Sequence, residues 1–134
     1  MEDSKAIKDA GLNALAAFVH HQSSMRGFYE EKHEFGTNLM LITSELAEAL
    51  EADRLGDHAS IENFEKCIKR SHIEDREWES AFNAFMKDTV EDELADTIIR
   101  LLDLIGYLGI DIDKHIYYKM VYNSERPRKN GKLY

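Results

Sequence analysis

The chain has 134 residues, a formal net charge of −9 and a single cysteine. This length is typical of one domain, and a domain of this size can leave helix surface to be buried against another subunit. The negative charge argues against binding to a nucleic-acid polymer, because phosphates attract clustered Lys and Arg. The lone cysteine, Cys67, excludes an internal disulfide and a cysteine-rich zinc site.

Two features of the sequence bear on its location. The acidic start Met1-Glu2-Asp3 does not have the basic and apolar regions of a secretory signal. The longest wholly apolar or glycine stretch, Leu104–Ile110, is much shorter than the roughly 20 residues that cross a bilayer. We therefore expect a cytoplasmic protein that does not bind membranes, with residues 1–134 forming one domain.

The first half of the chain has apolar residues at helical spacing. They predict one helix from about Lys5 to Ser24 and a second from about Thr37 to Leu55. Thr37 is the candidate N-cap of the second helix, and Gly56 follows its last residue. Residues 57–87 are highly charged but carry apolar residues at spacings that predict short amphipathic helices, which we interpret as an insertion or lid.

The second half begins with a long helix, predicted from about Asp88 to Leu108, with Leu and Ile on most of its circumference. Gly109 closes it, and a last helix is predicted from Asp111 to about Ser124. The fold class that follows is all-α: a four-helix-type bundle core with a short helical insertion. Oligomers are expected, because a small monomer of this kind does not cover so much apolar surface.

Four carboxylates form two pairs, each one helical turn apart: Glu45 and Glu48, then Glu93 and Asp96. Such pairs are common on solvated helix faces, so one pair alone indicates little. On the long helix, however, Arg100 and Asp103 continue the line of Glu93 within an arc of about 80°. A narrow polar stripe on a mostly apolar helix favours an internal site over a solvated face.

The chemistry of a shared site follows from its ligands. If the two helices bring both pairs together, four carboxylates cannot all stay ionised without cations. Hard oxygen ligands select Mg²⁺, with Mn²⁺ as a possible substitute. Two such ions about 4 Å apart can bind phosphate oxygens and activate a water. The sequence has no Walker-type loop, no GxSxG motif and no partner motif for Cys67, so metal-activated water remains the candidate nucleophile.

These motifs resemble the MazG-like all-α nucleoside triphosphate pyrophosphohydrolases, whose signature is EExxE on one helix and ExxD on a later one. The matching segments are Ser44-Glu45-x-x-Glu48 and Glu93-x-x-Asp96, together with Lys119-x-x-x-Asn123-x-x-Arg126-Pro127 and Gly131-Lys132. Ser44 stands where the first glutamate of the signature is usual. The resemblance covers about residues 37–55 and 88–132.

The resemblance implies that Glu45, Glu48, Glu93 and Asp96 hold the metal and carry catalysis. It also implies a nucleoside triphosphate or deoxynucleoside triphosphate substrate, which is cleaved to the monophosphate and pyrophosphate. The implied assembly is a homodimer or homotetramer with sites near subunit interfaces.

The predicted substrate-binding residues are Asn38, Arg100, Lys119, Asn123, Arg126 and Lys132. Lys119, Asn123 and Arg126 share a helix face and offer donors to triphosphate oxygens. Cations near a helix end can also simply balance its dipole, which is an equal alternative for Arg128 and Lys129. Asn38 lies on the face of Glu45 and is predicted to read a base edge, with helix capping as the alternative.

Two other classes of function remain open. The first is a non-catalytic helical interaction or regulatory protein whose acidic face binds a partner, and metal binding separates it from the hydrolase. The second, a di-iron carboxylate bundle, requires ExxH on each of two helices, whereas the sequence has only Glu30-x-x-His33. The remaining histidines are scattered, and we interpret them as ordinary surface or packing residues.

Overall fold

The computed structural model describes residues 11–30, 34–69 and 76–125. Within these ranges it contains six helices and no strand: α1 (Leu12–Met25), α2 (Phe35–Leu55), α3 (Ile61–Ile68), α4 (Arg76–Phe85), α5 (Val90–Leu108) and α6 (Ile112–Ser124). The all-α prediction is confirmed for this part of the chain, including the two short helices of the insertion. No helix of the described ranges is long and apolar enough to cross a membrane.

The boundaries of α2 confirm one predicted end and correct the other. The helix begins at Phe35 after the N-cap Glu34, so Thr37 lies inside the helix and its prediction as N-cap is wrong. The reason is that the first turn closes earlier, through a 3.2 Å hydrogen bond that the backbone N–H of Asn38 donates to the carbonyl of Glu34. Gly56 ends α2 with φ of 74°, a conformation that glycine adopts without steric cost.

The start of α5 depends on a turn at Asp88, which has φ of 58°. A helix cannot run through a residue in this left-handed region, so α5 begins at Val90 rather than at Asp88. The Thr89 hydroxyl accepts from the N–H of Asp92 at 3.3 Å and thereby caps the first turn. At its other end, α5 is closed by Gly109, as predicted, with φ of 63°.

The chain divides into two compact units, Met1–Glu31 with Leu102–Tyr134, and Lys32–Leu101. The core of the first unit contains Ala16, Leu102 and Ile105, against which Leu15 and Ile112 pack. In the second unit α3 packs against α4 through an aromatic cluster formed by Phe64, Trp78 and Phe82. The helix α5 supplies residues to both units. The expectation of a single domain stays a prediction.

Candidate metal centre

Three of the four predicted metal-binding carboxylates lie together. Each of Glu45, Glu48 and Glu93 offers one carboxylate oxygen, and these three oxygens lie within 4.8 Å of one another. We call this group the carboxylate cluster. Glu45 and Glu93 are each only 6% exposed, whereas Glu48 is exposed. Two buried carboxylates in one group are unusual, because burying an ionised group without compensation is costly.

The sequence of α2 explains how Glu45 comes to be buried. Glu45, Ala49 and Ala52 are the buried residues of this helix, and offsets of four and seven place them on one face. The acid therefore lies on the face of α2 that otherwise carries small apolar side chains. Glu48 is one turn further along and reaches the same group from the edge of that face.

Arg100 is the counter-charge of the cluster. Its Nε lies 2.6 Å from Oε1 of Glu45, in an ion pair whose arginine side chain is 43% exposed and whose glutamate is 8% exposed. Arg100 was predicted to bind substrate, and in this structure its guanidinium is engaged with a carboxylate instead. A guanidinium beside a buried carboxylate lowers the cost of keeping that carboxylate ionised.

The pKa of Glu93 is strongly shifted. Burial, the charges of Glu48 and Glu45, and a hydrogen bond with Glu45 raise the pKa of Glu93 to about 7. Near neutral pH the cluster therefore holds a proton for part of the time. A divalent cation would take over the role of that proton, because metal binding requires the ionised ligand and releases the proton.

Asp96, the fourth predicted ligand, lies one turn beyond Glu93 on α5 and is exposed. It is not part of the group whose oxygens meet within 4.8 Å. Burial raises its pKa, as do the charges of Asp92, Glu45 and Glu48, whereas Arg100 lowers it. Asp96 is thus electrostatically connected to the cluster and stands at its edge.

A second acidic group overlaps the first. Oxygens of Asp88, Asp92 and Glu93 also lie within 4.8 Å of one another, so that Glu93 belongs to both groups. Asp88 and Asp92 were not among the residues predicted from the sequence. The available signal was two further acids close before Glu93 in the sequence, although Asp88 precedes α5 and reaches the group through its positive-φ turn rather than through helical spacing. The N–H of Asp88 donates to Oδ2 of Asp92 at 3.0 Å.

The cluster opens into a pocket of about 260 Å³, which we call the carboxylate pocket. Five acidic residues line it: Glu48, Glu51, Asp57, Asp88 and Glu93. The remaining lining residues are Ala52 and Leu55. A cavity lined in this way attracts cations and repels a bare phosphate, so an anionic ligand would require bound metal in order to enter.

The other predicted site residues have different surroundings. Asn38 is a half-buried residue inside α2, and because Glu34 is the N-cap, its alternative role as cap is excluded. Lys119 and Asn123 are exposed on α6, which belongs to the first unit, whereas the carboxylate cluster belongs to the second. Arg126 and Lys132 lie outside the described residues.

Asp103 does not join the cluster, although the sequence places it on the same stripe of α5 as Glu93. Its Oδ1 lies 2.9 Å from Nδ1 of His20 on α1. Tyr29 also bonds to Asp103, and burial followed by this bond raises the pKa of the tyrosine. In the first unit, therefore, Asp103 holds α1 and α5 together.

No protein-family model, no curated protein and no solved structure matches this chain.

Proposed function

We propose that this protein hydrolyses nucleoside triphosphates or deoxynucleoside triphosphates to the monophosphate and pyrophosphate, with Mg²⁺ bound at the carboxylate cluster. The observation that carries the proposal is the meeting of three carboxylates from α2 and α5 within 4.8 Å, two of them buried. The raised pKa of Glu93 supports it, because the metal-free cluster keeps one ligand partly protonated. Perturbed carboxylates of this kind are typical of functional sites.

The donor set favours Mg²⁺ over zinc, because it consists of carboxylate oxygens and contains neither thiol nor imidazole. Bound Mg²⁺ or Mn²⁺ supplies a Lewis acid for phosphate oxygens and lowers the pKa of a coordinated water. The chain's own contribution is to hold Glu45 through Arg100, to release the proton of Glu93 and to exclude solvent from the two buried acids.

Nucleoside triphosphates are proposed as the substrate class because of the resemblance to the MazG-like motifs. The residues that the sequence predicts to bind the substrate are Asn38, Arg100, Lys119, Asn123, Arg126 and Lys132. The Arg100 ion pair with Glu45 is compatible with this role if a bound cation takes over the charge of Glu45, since the guanidinium would then be available to a phosphate oxygen.

We further propose a homodimer or homotetramer, in which helices of several subunits complete the four-helix-type bundle. The exposed large apolar residues of α6 support this: Ile116, Tyr117, Tyr118, Met120, Val121 and Tyr122. Further exposed apolar residues on α5 include Leu94, Ile98 and Ile99. Apolar surface on this scale marks interaction sites in proteins, and closed homo-oligomers are the commonest way of covering it.

The test compares neutral substitutions of predicted metal ligands with a substitution of an acid elsewhere on α2. Pyrophosphate and orthophosphate release from a panel of ribo- and deoxyribonucleoside triphosphates is measured with Mg²⁺ and with excess EDTA. Glu48→Gln and Asp96→Asn should reduce turnover at least about a hundredfold, the scale of a lost transition-state contact. Asp53→Asn is the matched control, because Asp53 is an exposed acid on α2 that does not line the carboxylate pocket.

The outcomes separate the hydrolase from an interaction protein. Pyrophosphate release that requires Mg²⁺ and is lost in both Glu48→Gln and Asp96→Asn supports the proposal. Full turnover in EDTA contradicts it. If calorimetry detects no Mg²⁺ or Mn²⁺ binding that depends on Glu48, the acidic face is better explained as a surface that binds a partner.

A further inference from the structure

A second pocket, of about 340 Å³, lies beside the carboxylate pocket, and Asp57 and Asp88 line both. It is formed by the segment that follows α2 and by the turn between α4 and α5. Its lining includes Asp57, His58, Ser60, Ala84, Phe85 and Asp88. We call it the turn pocket. Its volume is near the lower end of the range typical of small-ligand sites.

The walls of the turn pocket are fixed to each other by hydrogen bonds. The N–H of Ser60 donates to the carbonyl of Phe85 at 2.9 Å, and the N–H of Val90 donates to the carbonyl of Asp57 at 3.0 Å. The carboxylate of Glu91 accepts from the N–H of Ala59 at 2.8 Å and contacts Nδ1 of His58 at 3.1 Å. The pocket is therefore formed before any ligand binds, which lowers the cost of binding.

The chemistry of the turn pocket differs from that of the carboxylate pocket. Ala84 and Phe85 provide an apolar wall, while Ser60 and His58 provide groups that donate and accept hydrogen bonds. Its charged lining residues are Lys87, Asp57 and Asp88, so it has no excess of positive charge to attract a phosphate. One apolar face among mainly polar lining residues fits a flat heterocycle that carries several hydrogen-bonding groups.

We propose that the turn pocket binds the nucleoside end of a nucleoside triphosphate whose phosphates are bound by metal in the carboxylate pocket. This inference rests on the proposed function, and it assigns the base to the turn pocket rather than to Asn38, which lies near the opposite end of α2. In a nucleotide the sugar lies between the base and the phosphates, and the boundary between the two pockets is formed by Asp57 and Asp88. A carboxylate at this boundary can accept from a sugar hydroxyl, as carboxylates do with ribose in other nucleotide sites, although Oδ2 of Asp88 also lies 3.0 Å from Nζ of Lys87.

The test fills the turn pocket while leaving the carboxylate cluster unchanged. Ala84→Leu adds bulk on the pocket wall in the last turn of α4. Binding is measured by calorimetry with a non-hydrolysable ATP analogue plus Mg²⁺, with inorganic tripolyphosphate plus Mg²⁺, and with Mg²⁺ alone. Ala84→Leu should lower the affinity for the ATP analogue about tenfold or more. The affinities for tripolyphosphate with Mg²⁺ and for Mg²⁺ alone should not change. Asn83→Leu is the matched control, because Asn83 is exposed on the same helix and does not line the pocket.

A second measurement uses the parent protein, in case Ala84→Leu does not fold. Photolysis with 8-azido-ATP and Mg²⁺, followed by peptide mapping, should place the label within residues 56–60 or 84–89. A label outside both segments overturns the inference, and so does an Ala84→Leu variant that binds the ATP analogue as the parent does. In either case Mg²⁺-dependent pyrophosphate release by the parent leaves the proposed function standing. If the parent binds neither Mg²⁺ nor tripolyphosphate, the proposed function fails and this inference fails with it.

Discussion

Replacing Glu93 with glutamine tests how far the carboxylate cluster destabilises the fold when no cation is bound. Burial and the neighbouring acids raise the pKa of Glu93 from 4.5 to about 7. One pKa unit corresponds to about 1.4 kcal/mol, so ionising Glu93 costs the folded state at most about 3.4 kcal/mol. Glu48, whose charge contributes to this shift, is exposed. Because water screens its charge, we expect a measured effect of about 1–3 kcal/mol.

The sign of the effect follows from proton binding. Between pH 4.5 and about 7 the folded chain binds more protons at Glu93 than the unfolded chain does, so the free energy of unfolding falls as pH rises through this window. Glu93→Gln cannot ionise, and its amide can still donate a hydrogen bond to Glu45. The variant should therefore be more stable than the parent above about pH 7 by about 1–3 kcal/mol, and the gain should disappear below about pH 4.5.

Urea denaturation in EDTA at several pH values measures this difference. Glu65→Gln is the control for the general effect of one lost negative charge, because Glu65 is exposed on α3. With Mg²⁺ the parent should be more stable than Glu93→Gln, because metal binding stabilises the parent whereas the variant has lost a ligand. The reasoning is refuted if Glu93→Gln is no more stable than the parent near pH 8 without metal, or if its gain persists at low pH.

Three further predictions concern the counter-charge, the packing of α1 and the assembly. Arg100→Gln should lower the stability of the metal-free protein by about 1–2 kcal/mol, because it leaves the buried Glu45 without its ion pair, and Mg²⁺ should restore part of the loss in a thermal melt. Gly106→Ala should cost about 1–3 kcal/mol in urea denaturation, because the added Cβ would lie 2.5 Å from the carbonyl oxygen of Ala16. Gly36→Ala is its control and should cost nothing, since nothing beyond its chain neighbours and the nearby backbone of its own helix lies within 4 Å of the added Cβ. Sedimentation at micromolar concentration should give a mass of at least twice 15.5 kDa, and a monomer mass would contradict the proposed oligomer.

The order of the helices, several of their boundaries and the spacing of the acids could be predicted from the sequence, because these properties are local. A residue spacing of three places Glu45 beside Glu48, and Glu93 one turn from Asp96, in any helix. Gly56 and Gly109 end their helices because they adopt positive φ without a steric penalty. The start of α2 was less predictable, since the carbonyl of Glu34 closes the first turn without the side-chain hydrogen bond on which N-cap predictions depend.

Only the tertiary structure decided which of these acids meet. Glu93 lies 45 residues after Glu48 in the sequence, and helix geometry does not determine which faces of two distant helices face each other. Packing in the second unit brings Glu93 to Glu45 and Glu48 and adds Asp88 through a backbone turn at positive φ. Packing in the first unit instead brings Asp103 into contact with His20. The acidic stripe of α5 was thus visible in the sequence. Which of its acids joins the candidate metal centre, as Glu93 does, and which makes a structural contact, as Asp103 does, depends on long-range packing between helices.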